Sequence, residues 1–282
     1  MLSESGQAGG RSSGLFSFLI LTFAVSWLSW GALAVFRIPG GSVSPAEPAP
    51  PAIGLLLLAL GGFAPSLAGV LLTAWYGGRP GLRELWRRTT RLNLGALPYA
   101  VILAAPAAVA LARITVQLLR SGSIFLPEPL SRPALLAVLL LQLLLFGPVS
   151  EELGWRGFAL DRLLARHGAF GASFALGVAH AAWHLPLFFV PGTIQQLWGN
   201  PLPSFAVFAL GIVAGTFVFT WLHRATQGSI WAAIAYHLTA NLGTSLVWMS
   251  FGGDLLDRLV AAHVTVVVAA GLAAASRGRP RA

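Results

Sequence analysis

Eight stretches of this chain, at 14–36, 53–76, 95–118, 133–155, 169–190, 204–223, 228–250 and 257–276, read as apolar runs long enough to cross a bilayer. A crossing takes about 20 apolar residues. In lipid, a segment of this kind must satisfy its own backbone N–H and C=O groups, which a helix does. The expected fold is therefore all-α: a polytopic membrane bundle of about eight transmembrane helices.

Charge tests this count. Only 10% of the 282 residues are charged, against about 25% in a soluble domain. The formal net charge of +9 does not indicate nucleic acid, because the arginines sit in short connections between apolar segments. That distribution orients membrane helices. Arg79, Arg83, Arg87, Arg88, Arg91, Arg156, Arg162, Arg166 and Arg224 fall on one expected side. Arg11, Arg277, Arg279 and Arg281 in the tails join them, while Arg37, Arg120, Arg132 and Arg258, with Arg113 near its edge, fall on the other. Eight spans then place both termini in the cytoplasm. The composition points to a multi-pass protein of a bacterial inner membrane. The expected organisation is a disordered tail over 1–13, one bundle over 14–276 and a basic tail over 277–282. The first apolar run lacks a small-residue cleavage site and reads as a retained helix. There is no cysteine, hence no thiolate nucleophile or thiolate metal ligand.

The segment GLRELWRRTTRL at 81–92 is too charged to span. Leu82, Leu85, Trp86 and Leu92 fall roughly on one helical face and Arg83, Arg87, Arg88 and Arg91 across from them. It reads as an interfacial helix attracted to anionic headgroups. GGFAPSLAG at 61–69 looks like a broken span, but no matching partner in a second half argues an inverted-repeat transporter.

Ionisable groups inside a membrane mark function by default. Here they form three groups. In PVSEELGWRGFAL at 148–160, Arg156 lies four residues after Glu152 and can pair with it, while Glu151 is turned about 100° away on the helix. Alone, this trio fits a helix-end charge cluster as well as a site. In GVAHAAWHLPLFF at 177–189, His180 and His184 share a face, and Pro186 loosens the backbone beyond them. Two His at this spacing can bind a metal, with Glu151 or His237 as a further ligand, although the glutamate of a zincin motif is absent. In AIAYHLTANLGTS at 234–245, His237 and Asn241 share a face. Alone, they fit interhelical hydrogen bonding slightly better than catalysis. Together the groups supply what a hydrolase of this kind needs. A carboxylate and a His can position and deprotonate a water, and a His and an Asn can stabilise the resulting oxyanion.

The motifs E-E-x-x-x-R, the His ending the W-H-L-P-L-F run, and H-x-x-x-N resemble the CPBP family of intramembrane proteases. That family includes the type II CAAX prenyl endopeptidases and the bacterial Abi proteins. The resemblance covers about residues 130–250. It implies an eight-helix bundle around a conical, water-filled cavity open toward the cytoplasmic side. By position it implies that Glu151 and His184 activate the water, that His237 and Asn241 bind the oxyanion, and that Glu152 and Arg156 support them. The family's usual Phe or Trp four residues before the motif His is His180 here. Taking His180 as the motif His instead would put Leu176 in the aromatic place, and WHLPLF favours His184. His180 is then a supporting partner or an extra metal ligand. The family is often classed among metalloproteases, so a divalent metal such as zinc, or none, is the cofactor expectation.

The reading that follows is an intramembrane endopeptidase acting on a membrane-associated or CAAX-like peptide or protein. Two other classes remain open at this stage. A non-catalytic immunity or scaffold protein of the same architecture would tolerate isosteric neutralisation of Glu151. A proton-coupled transporter would show flux in liposomes.

Overall fold

The computed structural model describes residues 4–41 and 49–277. Among them the regular structure is entirely helical, in the order α1 (Glu4–Val35), α2 (Ala52–Thr89), α3 (Ala96–Ser121), α4 (Glu128–Ser131), α5 (Pro133–Leu144), α6 (Ser150–Gly154), α7 (Leu160–Trp183), α8 (Ile194–Leu197), α9 (Pro201–Ala225), α10 (Ile230–Phe251) and α11 (Leu255–Arg277). Of the expected tails, residues 1–3 and 278–282 lie outside the described residues.

Among the described residues, six helical stretches are long and apolar enough to cross a membrane. One of these, Pro133–Trp183, bends at Gly168, where φ is 63° and ψ −176°. It supplies two of the expected segments, because only glycine adopts this backbone at little cost. α10, with 22 residues, is not among the six, and its sequence carries His237, Thr239, Asn241, Thr244 and Ser245. The eight expected segments are thus all helices. The chain is a multi-pass membrane protein, and residues such as Trp75, Leu119 and Leu202 turn their apolar surface outward.

One expectation about the chain's path is corrected. The connection expected at 156–168 is helical, and residues 155–160 are buried. Trp155, Phe158 and Leu160 are fully enclosed, and Arg156 is only 1% exposed. Arg156 is therefore an interior cation and does not belong to a cytoplasmic loop. The apolar character of W-x-x-F-x-L outweighs the single arginine within it.

The helices interlock through groups that proline and glycine leave free. Pro65 in α2 has no N–H for the carbonyl four residues before it, and that carbonyl, Gly61 O, accepts instead from Ser26 Oγ of α1 at 2.7 Å. Ser26 Oγ in turn accepts from Trp183 Nε1 of α7 at 2.6 Å. Pro106 in α3 frees Ile102 O in the same way, and Thr239 of α10 donates to it at 2.9 Å. Where α2 crosses α6, a Cβ on Gly69 would lie 2.7 Å from Gly154 Cα, and one on Gly154 would collide with Pro65 O. Small residues at a crossing let backbones approach, a common device between membrane helices. Ser66 Oγ adds a bond to Val149 O at 2.9 Å.

The amphipathic end of α2 departs from its expected orientation. A break at Gly78 precedes it. Leu85 is buried, but Trp86 is 68% exposed, so the two do not share a buried face. Arg88 turns inward, donating to Gly228 O at 2.7 Å and to Asp161 at 2.6 Å. Arg91 donates to Gln227 O at 3.0 Å. Two of the four arginines thus tie the segment to the protein, because the turn after α9 offers the carbonyls of Gln227 and Gly228 there and the start of α7 offers the Asp161 carboxylate.

Two apolar clusters build the interior. One joins Phe18 and Trp30 of α1, Ala68 and Leu72 of α2, Trp155 and Phe158 just before α7, and Trp183 of α7. The other joins Ile102, Val218, Phe219, Leu222 and Tyr236 across α3, α9 and α10. The polar motif residues lie along the seam between them. Overpacking a tight contact costs about 1–3 kcal/mol. Gly154→Ala should therefore lower the thermal midpoint of the detergent-solubilised protein. Gly62→Ala, whose Cβ would meet nothing within 4 Å, should leave it equal or slightly raised. Equal midpoints for both variants would contradict the close crossing of α2 and α6.

Candidate active site

Glu151 and Glu152 sit on α6, a five-residue piece of α-helix between two π-helical turns, Leu145–Val149 and Trp155–Ala159. Pro148 lies inside the first turn, and Phe146 there takes φ −95°, ψ 20°. A proline cannot supply the next helical N–H, and the wider turn accommodates it. Such insertions within α-helices are frequent at functional sites.

The two glutamates face different partners. Glu151 Oε2 lies 2.7 Å from His180 Nε2 of α7. Both side chains are buried, at 7% and 3% exposure. His180 is clamped by aromatic neighbours, with ring centroids 5.0 Å from Trp155 and 5.8 Å from Trp183. His184 caps the C-terminal end of α7, and Pro186 is the second residue of a 3₁₀ turn over Leu185–Phe188. Its Nδ1 donates to His180 O at 2.9 Å. That bond fixes the tautomer and leaves Nε2 with its lone pair. The rings of His180 and His184 are 5.0 Å apart. Sequence spacing placed these two on one face. It did not show that His180, standing where the family pattern has an aromatic residue, is the one bonded to Glu151.

Glu152 faces the other way. Its Oε1 accepts from Arg156 NH1 at 2.9 Å and from His237 Nδ1 of α10 at 2.7 Å. Glu152 is fully buried and Arg156 nearly so. The guanidinium carbon of Arg156 lies 3.7 Å from the centre of the Phe219 ring on α9. With Nδ1 held by Glu152, His237 presents Nε2 toward α5 and the first π turn. A Cβ built on Gly147 would lie 2.8 Å from Asn241 Nδ2 and 3.6 Å from His237 Nε2. Any side chain at 147 would fill the place where those two nitrogens meet. Gly147 is therefore a site residue that motif spacing missed, although the Gly-Pro pair three residues before Glu151 was a signal. Phe219, which covers Arg156, had none.

All seven residues singled out in the sequence thus gather at one seam. Glu151, His180 and His184 present ligand atoms within 4.8 Å of one another, as do Glu151, Glu152 and His237. His180, His237 and Asn241 line a cavity that continues along α10 and between α3, α9 and α11.

The donor sets bear on a metal. Two imidazoles and a carboxylate, as in Glu151, His180 and His184, match a known catalytic zinc set with an open fourth position. In the second cluster the Arg156 guanidinium already answers the charge of Glu152 through Oε1, which also holds His237 Nδ1, and only Oε2 is without a partner among the described residues.

Residues 133–243 match the family model described as "Type II CAAX prenyl endopeptidase Rce1-like". Over 106 residues the chain is 36% identical to CAAX prenyl protease 2 of Methanococcus maripaludis, a match covering 37% of this chain and 39% of that protein. In that match the chain spans about two fifths of the length of the curated relative. The stretch that holds Glu151, His180, His184, His237 and Asn241 is the stretch over which this chain resembles the type II CAAX prenyl endopeptidase family.

Proposed function

We propose that the protein is an intramembrane endopeptidase that hydrolyses a peptide bond of a membrane-associated or CAAX-like substrate. The observation that carries this reading is the convergence of Glu151 with two imidazoles on one side of the seam, and of His237 Nε2 with Asn241 Nδ2 on the other.

Glu151 is the base. His180 occupies its Oε2, which leaves Oε1 to take a proton from water. The Nε2 lone pair of His184 accepts the water's other hydrogen and orients the oxygen lone pair. That oxygen attacks the amide carbonyl, the new C–O bond forms, and the carbonyl π pair moves onto its oxygen. Asn241 Nδ2–H and His237 Nε2–H donate to this oxyanion. For His237 to donate from Nε2 while Nδ1–H stays on Glu152, the ring carries both protons, and a carboxylate is the partner such a cation needs. The oxyanion pair then returns to re-form the carbonyl, the C–N bond breaks, and the proton on Glu151 passes to the leaving amide nitrogen. Glu152 and Arg156 set the ring of His237, and His180 is a positioning residue for Glu151. If a zinc ion occupies Glu151, His180 and His184, it supplies Lewis-acid polarisation and a more acidic water. The arginine distribution supports placing both termini in the cytoplasm.

The test is hydrolysis of single-span reporter peptides in proteoliposomes. Loss of a general base costs typically about 10²–10⁴ in rate, so Glu151→Gln should lower kcat by that range. Full activity in this variant overturns the mechanism. Loss of one oxyanion donor costs about 10²–10³, the fall expected in kcat for Asn241→Ala with KM little changed. His180→Phe restores the aromatic residue usual at that place and removes the bond to Glu151. It should lower kcat and alter the pH profile while KM holds, which a purely structural role would not do. Elemental analysis of the purified protein separates the two forms of activation: stoichiometric zinc that is lost in His184→Ala assigns the metal-assisted one.

A further inference from the structure

Buried polar side-chain atoms are nearly always hydrogen-bonded, and those that are not call for an explanation. His180 Nδ1, Trp155 Nε1 and Thr22 Oγ1 are buried and have no partner among the described residues. Their residues are 3%, 0% and 0% exposed. Each departs from what its neighbours do. Thr115, Thr216, Thr220, Thr239 and Thr265 each donate to the carbonyl four residues earlier, a common outlet for a helical threonine. Thr22 does not. Trp30 and Trp183 of the same apolar cluster donate to Leu58 O at 3.1 Å and to Ser26 Oγ at 2.6 Å. Trp155 does not. His184 Nδ1 uses the carbonyl four residues back, and His180 Nδ1 does not.

Packing brings the three residues to one place. Phe18, Thr22 and Ser26 follow at four-residue steps along one face of α1. Phe18 meets the Trp155 ring at 5.2 Å, and Ser26 holds the Trp183 indole. Trp155 and Trp183 are the rings that flank His180. Thr22 thus stands between the two α1 residues that reach the aromatic walls of His180.

Their chemistry is complementary. His180 Nε2 faces a carboxylate oxygen, so Nε2–H donates, and in the neutral ring Nδ1 is then an acceptor. Trp155 Nε1–H can only donate, and the Thr22 hydroxyl can do either. A water among them accepts from Trp155 Nε1–H, donates to His180 Nδ1 and shares a bond with Thr22 Oγ1. That gives it about three bonds, the usual number for a buried water.

We propose that Thr22, Trp155 and His180 hold one internal water, and that Thr22 acts through it as a positioning residue for the Glu151–His180 pair. The bond to Nδ1 keeps the His180 proton on Nε2, where it serves Glu151, and fixes the tilt of the ring. The effect on catalysis rests on the endopeptidase reading, whereas the water site does not.

The experiment reads His180 directly. Isotope labelling of the histidine ring nitrogens in the full chain, followed by NMR in detergent micelles, reports the tautomer and hydrogen bonding of each ring. His180→Phe identifies the His180 signals. The unaltered protein should show His180 as the Nε2–H tautomer. Thr22→Val removes the hydroxyl and fills its place, and should move the Nδ1 resonance toward that of an unbonded nitrogen. On the reporter peptides in proteoliposomes it should lower kcat about five- to tenfold, the equivalent of one buried hydrogen bond, with KM unchanged. Thr22→Ser keeps the hydroxyl and should recover both. Should Thr22→Val fail to fold, Thr22→Ala serves in its place. An Nδ1–H tautomer in the unaltered protein, an Nδ1 resonance indifferent to loss of the hydroxyl, or a Thr22→Ser protein as impaired as Thr22→Val overturns the proposal. A shifted resonance with full kcat overturns the positioning role. Hydrolysis independent of Glu151 overturns the endopeptidase reading instead, and the resonance still decides the water site.

Discussion

The site is organised around a single buried oxygen. Glu152 Oε1 receives both the Arg156 guanidinium and the His237 imidazole, in a place from which water is excluded. Removing a carboxylate and a guanidinium from water costs several kcal/mol per ion, and pairing alone does not make such a trio a stabilising element. Its members are not even fully satisfied, because Glu152 Oε2 and two Arg156 nitrogens lack partners among the described residues. What the trio supplies is constraint. Arg156 is pinned against Phe219 of α9, His237 of α10 is fixed in ring orientation, and both answer to one carboxylate on α6. Three helices that could otherwise slide in lipid are held in one register.

The legible part of this arrangement was local. Helix geometry makes positions four apart neighbours. The pairs Glu152–Arg156, His180–His184 and His237–Asn241 could therefore be placed on common faces from spacing alone. The existence of the helices followed from apolar run length. Contacts across the bundle were not legible in this way. Nothing in the sequence said that His180 would bond Glu151, or that Glu152 and not Glu151 would hold His237. Those contacts depend on how α6 is rotated, and two π turns set that rotation. The continuation of the helix through Arg156 was obscured for a different reason. One arginine in WRGFAL looks like a loop charge until a buried carboxylate is found to receive it. Arg88 and Arg91 misled in the same way, since an amphipathic pattern does not say whether the polar face meets headgroups or protein carbonyls.

Proline and glycine, often read only as interruptions, do much of the joining. The carbonyls released by Pro65 and Pro106 become acceptors for Ser26 and Thr239. Each bond ties a helix of the frame to one that carries or adjoins the site. The Trp183–Ser26–Gly61 chain ends one residue before His184. The helix end that presents this imidazole is thus anchored through α1 to α2. In lipid, where apolar contact between helices is no more favourable than contact with acyl chains, such hydrogen bonds and close small-residue crossings supply the specificity.

Adjacency of the two glutamates is itself a consequence of the site's shape. Two acidic residues four apart on a helix would face one wall. Consecutive residues are separated by about 100° of rotation, so Glu151 and Glu152 address different walls, α7 and α10. In the proposed mechanism, one helix crossing the seam serves a water-activating side and an oxyanion side at once. That division requires α6 to lie deep between its neighbours, which Gly154 permits against α2 and Gly147 permits against His237 and Asn241. The GP-x-x-EE-x-G pattern at 147–154 is therefore one device. The glycines admit the helix, the proline sets its turn, and the paired carboxylates face the two halves of the bundle.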